Sequence, residues 1–308
     1  MEKKTPKKTG LFGVIDIGSN SVRRVVFDIS YVPAIELINE KVFCALGRDL
    51  STTGRLSPEG VELARKTLRT YKEKMGSEGV KVFPVVGTAA LREAEDGSAF
   101  LKIVHDEIGL EIQIISGDEE ARYAAKGVLS FDPHAVGVVA DFGGGSLEFA
   151  VVEAGQVGNT LSFPFGVFRV RTLGSAARGI MHKAFVESRT QVGSPSSLYG
   201  IGGDWRSLAK AHKQESGEED RPLQGYRIES SDLILFCRKL QNLLPTEIVR
   251  LYGMEERRAE LMGISALVLE TAVMALGVRD MVVSTAGVRD GLLYEYLHSN
   301  GNGFRLAE

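Results

Sequence analysis

The sequence predicts an α/β protein made of two duplicated α/β domains, and two observations predict it. The first is an internal repeat: "VIDIGSNSVRRVVFD" (Val14 to Asp28) aligns without a gap onto "VADFGGGSLEFAVVE" (Val139 to Glu153) at an offset of 125 residues. Asp16 meets Asp141, Gly18 meets Gly143 and Ser21 meets Ser146. A duplication on this scale sets the architecture before any single element is assigned. The second is that strand patterns alternate with helix patterns after each copy, the order of α/β layers with a sheet in each half.

The elements follow in chain order. Each copy of the repeat is an apolar, β-branched run ending in Asp, then a Gly/Ser/Asn turn, then a second alternating run, which reads as a β-hairpin. In the first half "VKVFPVVGTAALREA" is strand, small-residue turn and helix, and "LEIQIISGDEEARYAAKGVL" repeats that plan. In the second half "SLYGIGGDWRSLAKAH" and "RDMVVSTAGVRDGLLYEYL" do the same. Further helices are expected over Pro58 to Lys74, Ser230 to Leu251 and Glu255 to Leu276. The charged, turn-rich Lys213 to Arg227 is expected to be a surface loop. The boundary is placed near Lys126, giving a first domain over 1–125 and a second over 126–289. A C-terminal helix, about 290–308, is expected to pack back on the first domain.

A chain of 308 residues with 44% apolar and 25% charged content has room for two cores. Its net charge of -3 and pI near 6.1 argue against bulk attraction to nucleic acid or to a membrane, so any polyanion has to be bound locally. The basic "MEKKTPKKTG" reads as a solvated tail, because Asp16 follows too soon for the apolar core of a signal peptide. "GISALVLETAVMALGV" is interrupted by Glu270 and reads as a core helix, too short and too one-sided to span a bilayer. Cys44 and Cys237 have neither metal nor redox spacing and read as reduced core thiols, which suits the cytoplasm. His105, His134, His182, His212 and His298 are scattered without the spacing of a zinc site.

The chemistry concentrates in the two turns. Gly143, Gly144 and Gly145 offer backbone N–H groups with no Cβ in the way, so an anion can approach the main chain. Glycine also serves ordinary tight turns, and Asp16 and Asp141 would equally serve as turn caps. A matched pair of turns, each with Asp two residues before its first glycine and Ser at its far end, favours a phosphate chain held by both. The copies differ where chemistry wants a difference: Arg23 in the first stands where Glu148 stands in the second. A cation neutralises phosphate oxygens, while carboxylates at Asp16, Asp141 and Glu148 hold Mg²⁺ or order a water.

"VIDIGSNSVR", "VVGTAALREA", "IISGDEEARYAAKGV", "VADFGGGSLEF", "FPFGVFR", "GIGGDWRSLAKAH" and "STAGVRDGLL" occur in that order. Together they resemble the exopolyphosphatase and guanosine pentaphosphate phosphohydrolase family, over roughly Gly13 to Leu293. The resemblance implies the actin-like (ribonuclease H-like) fold, with a phosphate-binding cleft between the two domains. It also implies a cytoplasmic hydrolase releasing the terminal phosphate of inorganic polyphosphate or guanosine pentaphosphate with Mg²⁺ or another divalent cation. The family's catalytic base falls on Glu120, which the sequence by itself would explain as an acidic residue favoured in a helix's first turn. Asp141 and Glu148 match its other essential carboxylates, and Asp16, Asp141 and Glu148 are the implied metal ligands. Gly18, Ser19, Asn20 and Ser21, with Arg23, Arg92, Gly143, Gly144, Gly145 and Ser146, are the implied phosphate contacts. Arginine suits that role by its planar fork. A non-catalytic guanosine tetra- or pentaphosphate-binding regulator and an acid or sugar kinase are the alternatives. Homodimers occur in the family.

Two positions depart from the family pattern. Arg24 stands where an apolar residue is usual, and a buried charge there needs a partner or an anion. Asp204 stands where "GGTxR" has Thr, and it would repel phosphate if it faced the cleft. No additional C-terminal helical domain is expected after the "GVRDGLL" motif, from which a preference for short chains or guanosine pentaphosphate is expected.

Overall fold

The computed structural model describes residues 10–299, so the basic N-terminal segment and the last part of the expected C-terminal helix lie outside the described residues. Among the described residues two compact units emerge: 10–116 together with 292–299 form one, and Gly117–Gly291 form the other.

In the first unit the expected hairpin is β1 (Leu11–Ile17) and β2 (Ser21–Asp28), and β2 pairs antiparallel with β3 (Ile35–Phe43). A short helix α1 (Leu50–Thr53) and the long α2 (Pro58–Ser77) lead to β4 (Val85–Gly87), α3 (Ala89–Glu93), α4 (Gly97–Ile108) and β5 (Gln113–Ile114). The sheet order is β3-β2-β1-β4-β5, with β4 parallel to β1 and β5 parallel to β4. One face buries Ile15, Ile17, Val22 and Val26 against Leu68 and Met75 of α2 and Val104 of α4. Burial of this kind contributes ~1.5–3 kcal/mol per large apolar side chain. On β1, Phe12 stacks on Tyr296 with ring centroids 4.5 Å apart.

The second unit opens with α5 (Gly117–Phe131), followed by the second hairpin of β6 (Gly137–Phe142) and β7 (Leu147–Glu153) and by β8 (Gln156–Phe163). The boundary expected at Lys126 therefore falls inside α5, all of whose residues belong to the second unit. Next come α6 (Val167–Leu173), α7 (Ala177–Val192), β9 (Ser197–Ile201), α8 (Gly203–Glu215) and β10 (Arg227–Glu229). Then follow α9 (Ser230–Asn242), α10 (Pro245–Tyr252), α11 (Glu256–Leu276), β11 (Asp280–Val283) and α12 (Val288–His298), whose residues up to Gly291 belong to this unit and whose remainder, from Leu292, belongs to the first. Its sheet order, read from the hairpin edge, is β8-β7-β6-β9-β11-β10. The first five strands repeat the first unit's order with the same antiparallel and parallel pairings.

The helix expected over Ser230 to Leu251 is two helices, because Pro245 lacks an N–H and disfavours a helical residue before it, which suits the first turn of α10 but not a helix interior. The apolar segment before Gly277 extends into a 21-residue helix, α11, which by length and composition could cross a membrane. It is not one-sided as expected: 72% of its apolar window is buried inside the second unit's core. Lys213 to Arg227 is a loop from Ser216 to Tyr226, flanked by the end of α8 and the start of β10.

Candidate functional site

The turns of the two hairpins are built alike. Gly18 N–H donates to the Ser21 carbonyl at 3.0 Å, and Gly143 N–H donates to the Ser146 carbonyl at 3.0 Å. In the second turn the carbonyls of Gly143, Gly144 and Gly145 accept from Val167, Phe168 and Gly166 at 3.1, 3.0 and 3.2 Å. A trans peptide sets its N–H opposite its C=O. The N–H groups of Gly144, Gly145 and Ser146 therefore point away from the start of α6. A Cβ at Gly166 would lie 2.3 Å from the Gly145 backbone, so glycine is required there for the seat to form. The first turn uses a loop instead of a helix. The Ser19 carbonyl accepts from Gly47 at 2.8 Å, and the Asn20 carbonyl accepts from Cys44 and Ala45 at 3.1 and 2.9 Å. The N–H groups of Asn20 and Ser21 accordingly point away from that loop, in which Ala45 adopts a left-handed φ of 53°. Ser19 Oγ is buried and has no hydrogen-bond partner within the protein, a costly state unless a ligand meets it.

The strands carry the charges to these turns. Across β1 and β2, Asp16 is register partner to Arg23; across β6 and β7, Asp141 is register partner to Glu148. One hairpin thus sets an acid beside a cation and the other sets two carboxylates side by side. Glu148 is buried, and Ser162 Oγ on β8 donates to its Oε1 at 2.9 Å. Arg92 lies in α3, whose start is tied to the end of β1 by Thr88 N–H on the Ile17 carbonyl, and it donates to the Ile115 carbonyl at 2.8 Å. Glu120 is half-buried in the first turn of α5, a helix that packs on β7 and β8 and is pinned by Thr160 Oγ1 donating to Asp118 Oδ1 at 2.9 Å. The first unit therefore holds Asp16, Gly18–Ser21, Arg23 and Arg92, and the second holds Glu120, Asp141, Gly143–Ser146 and Glu148.

Both departures from the family pattern have partners. Arg24 is 1% exposed and donates to Glu40 at 3.2 Å and twice to Glu78. Those bonds and charges hold its pKa up even though burial, the largest influence, pulls it down. Asp204 accepts from Arg258 at 2.6 Å and from Ser265 at 3.4 Å, so its charge is answered from α11. The motif reading passed over Arg206, one turn into α8. Its guanidinium donates to the Thr285 carbonyl at 2.9 Å. Burial lowers its pKa and Arg289 and Arg258 lower it further, against Asp141 and Asp290, which raise it. The signal was present in "GIGGDWR": two glycines before a helix and a cation one turn in.

Among the described residues no group of three His, Cys, Asp or Glu side chains is placed to hold a metal ion. Mg²⁺ asks less of a protein, since it binds through one or two carboxylates and completes its shell with waters and phosphate oxygens. Asp141 and Glu148, adjacent across one hairpin, fit that demand.

Two α/β units of like strand order, each with a first hairpin closed by a turn of the same hydrogen-bonded form, define a class of two-unit α/β protein. The sequence matches the Ppx/GppA phosphatase family over residues 25–300, and the chain belongs to that family. The fold is similar to an exopolyphosphatase from Cytophaga hutchinsonii, with 24% identity, TM-score 0.84, and coverage of 94% of this chain and 98% of that one. It is also similar to the Aquifex aeolicus Ppx/GppA family member, with 22% identity, TM-score 0.76, and coverage of 93% and 97%. An exopolyphosphatase-like protein matches with 21% identity, TM-score 0.79, and coverage of 93% and 98%. Membership of this phosphatase family supports a phosphohydrolase activity.

Proposed function

We propose that the protein hydrolyses phosphoanhydrides, releasing the terminal phosphate of inorganic polyphosphate or guanosine pentaphosphate. The observation that supports this most is the matched pair of turns whose carbonyls are consumed by α6 and by the Cys44–Gly47 loop, leaving five N–H groups directed away from those supports. In this reading the two duplicated units are actin-like and each turn is a seat for phosphate oxygens, with Arg23, Arg92, Ser19 and Ser21 serving the first and Ser146 donating its hydroxyl at the second. Glu120 takes a proton from the water that attacks the terminal phosphorus. The P–O bond to that water forms as the anhydride P–O bond breaks, and the shortened chain leaves as the anion. General-base assistance of this kind supplies ~10²–10⁴ in rate. Asp141 and Glu148 orient the water. They would hold Mg²⁺, which when bound neutralises phosphate oxygens as a Lewis acid, and Asp16 is the matching carboxylate of the first turn. Ser162 keeps Glu148 in one orientation.

The test is inorganic phosphate release with Mg²⁺ from tripolyphosphate, long polyphosphate and guanosine pentaphosphate. Release from at least one supports the reading and the ranking names the substrate. No release from any of the three, with guanosine tetraphosphate still bound, would replace it with a regulatory protein.

A further inference from the structure

Arg206 reaches the neighbourhood of Asp141 through the sheet. Asp141 on β6 is register partner to Ile201 on β9, and α8 starts two residues later. That start lies against the end of β6: a Cβ on Gly202 would lie 2.4 Å from the Phe142 carbonyl, and Trp205 stacks on Phe142 at 5.0 Å. The direction of the guanidinium is then set by its acceptor, the Thr285 carbonyl. Thr285 follows β11 and has no regular structure of its own. Besides Arg206, the Gln224 side chain holds it: Gln224 Oε1 accepts from both the Thr285 N–H and the Thr285 Oγ1, each at 2.7 Å.

Gln224 belongs to the surface loop between α8 and β10, outside every motif that carries the family resemblance. The loop is fixed on both sides of it. Gly225 N–H donates to the Val283 carbonyl at 2.9 Å, and Val283 N–H donates to the Tyr226 carbonyl at 2.8 Å. The Tyr226 hydroxyl donates to Glu218 at 2.8 Å and sits 2.9 Å from His212 Nδ1. Lys213, itself buried, donates to the Glu219 and Arg221 carbonyls. A continuous set of bonds therefore runs from the loop through Gln224 and Thr285 to Arg206.

We propose that Gln224 is a positioning residue for the reaction: its double acceptor fixes the Thr285 carbonyl, and that carbonyl aims Arg206 at the phosphate-binding hairpin beside Asp141. The proposal rests on the phosphohydrolase reading, in which a cation there meets phosphate oxygens. Removing the acceptor frees Thr285, and the guanidinium loses the fixed bond that orients its fork. The charge stays and the aim is lost.

The experiment is a double-mutant cycle on phosphate release from tripolyphosphate, with Gln224→Met, Arg206→Ala and the pair, and a melting temperature for each. Gln224→Met keeps side-chain length and removes the acceptor, while Gln224→Glu keeps an acceptor in the same place. The expected result is a loss of about tenfold in kcat/KM for Gln224→Met, within the range of coupled contacts, and recovery of most of it in Gln224→Glu. In the Arg206→Ala background the same substitution costs about twofold or less, because the bond acts through Arg206. Equal losses in both backgrounds, or no loss in the first, would overturn the proposal. Should Gln224→Met fail to fold, Thr285→Pro is not its substitute; Gln224→Ser, which shortens the side chain but stays polar, carries the same cycle. If the wild type releases no phosphate, the reading beneath fails, and the cycle is read as tripolyphosphate affinity by calorimetry, with the same outcomes deciding the role of Gln224.

Discussion

Glu270 carries a carboxylate into the core of the second unit and is fully buried there. Burial, the largest influence, would raise its pKa, but hydrogen bonds from Arg178, Gln241 and Arg238 outweigh it and hold the group below its ordinary value near 4.5. A depressed folded-state pKa means stability that is present above the unfolded value and is lost as pH falls through the folded one. Glu270→Gln is therefore expected to cost about 2 kcal/mol at neutral pH, where hydrogen bonds to a charge are lost, and less than that below pH 4. Urea melts at pH 7 and pH 3.5 check this, and an equal cost at both would contradict it. The partners of such charges are not legible in the sequence. Arg24 announced the need for an anion, but Glu78 stands 54 residues away and only the folding of α2 onto the sheet brings it near. Asp204 hid its partner in the same way, on a helix 54 residues on. Ser19, by contrast, read as a phosphate contact from the motif, and nothing in the sequence indicated that its hydroxyl would be buried without a protein partner.

Elements that carry repeat or alternation were legible, and elements that depend on a neighbour were not. Both hairpins, α5, α8 and α11 follow from pattern alone. The edge strands β3 and β8 did not, although β8 supplies Ser162 and Thr160 to the carboxylates of β7 and α5. The packing of α5 on the start of α12 depends on backbone contact that no periodicity reveals. A Cβ on Gly127 would lie 2.4 Å from the Gly287 carbonyl, and one on Gly291 would lie 1.8 Å from the Tyr123 carbonyl. Gly291→Ala should accordingly destabilise the fold by about 1–3 kcal/mol or more through overpacking. A denaturation midpoint equal to wild type would contradict that. Gly166→Ala makes a different prediction. It pushes into the turn itself, so phosphate release should fall at least tenfold, by the loss of a fixed donor array. Retained activity would mean that α6 does not seat the turn.

At the scale of the molecule, a chain of net charge -3 does not attract a polyanion in bulk, so the proposed substrate has to be met by locally placed donors. Binding of tripolyphosphate by the folded protein alone should raise the melting temperature by mass action, about 2.7 kcal/mol at a hundred times Kd. Raising the salt concentration should reduce that gain, since screening weakens charge–charge attraction. An unchanged melting temperature at millimolar tripolyphosphate and low salt would speak against a built phosphate site. The repeat of strand order between the two units is what made the whole legible early: once Asp16 aligned with Asp141, the second turn could be read from the first.

The measurement that bears most directly on the central claim is the rate of phosphate release by Glu120→Gln beside the wild type, at saturating tripolyphosphate and Mg²⁺. The amide keeps the shape of the side chain and cannot take the proton from water. The account predicts a fall of ~10²–10⁴-fold in kcat with the melting temperature and tripolyphosphate affinity retained. A Glu120→Gln variant that releases phosphate at the wild-type rate would contradict it.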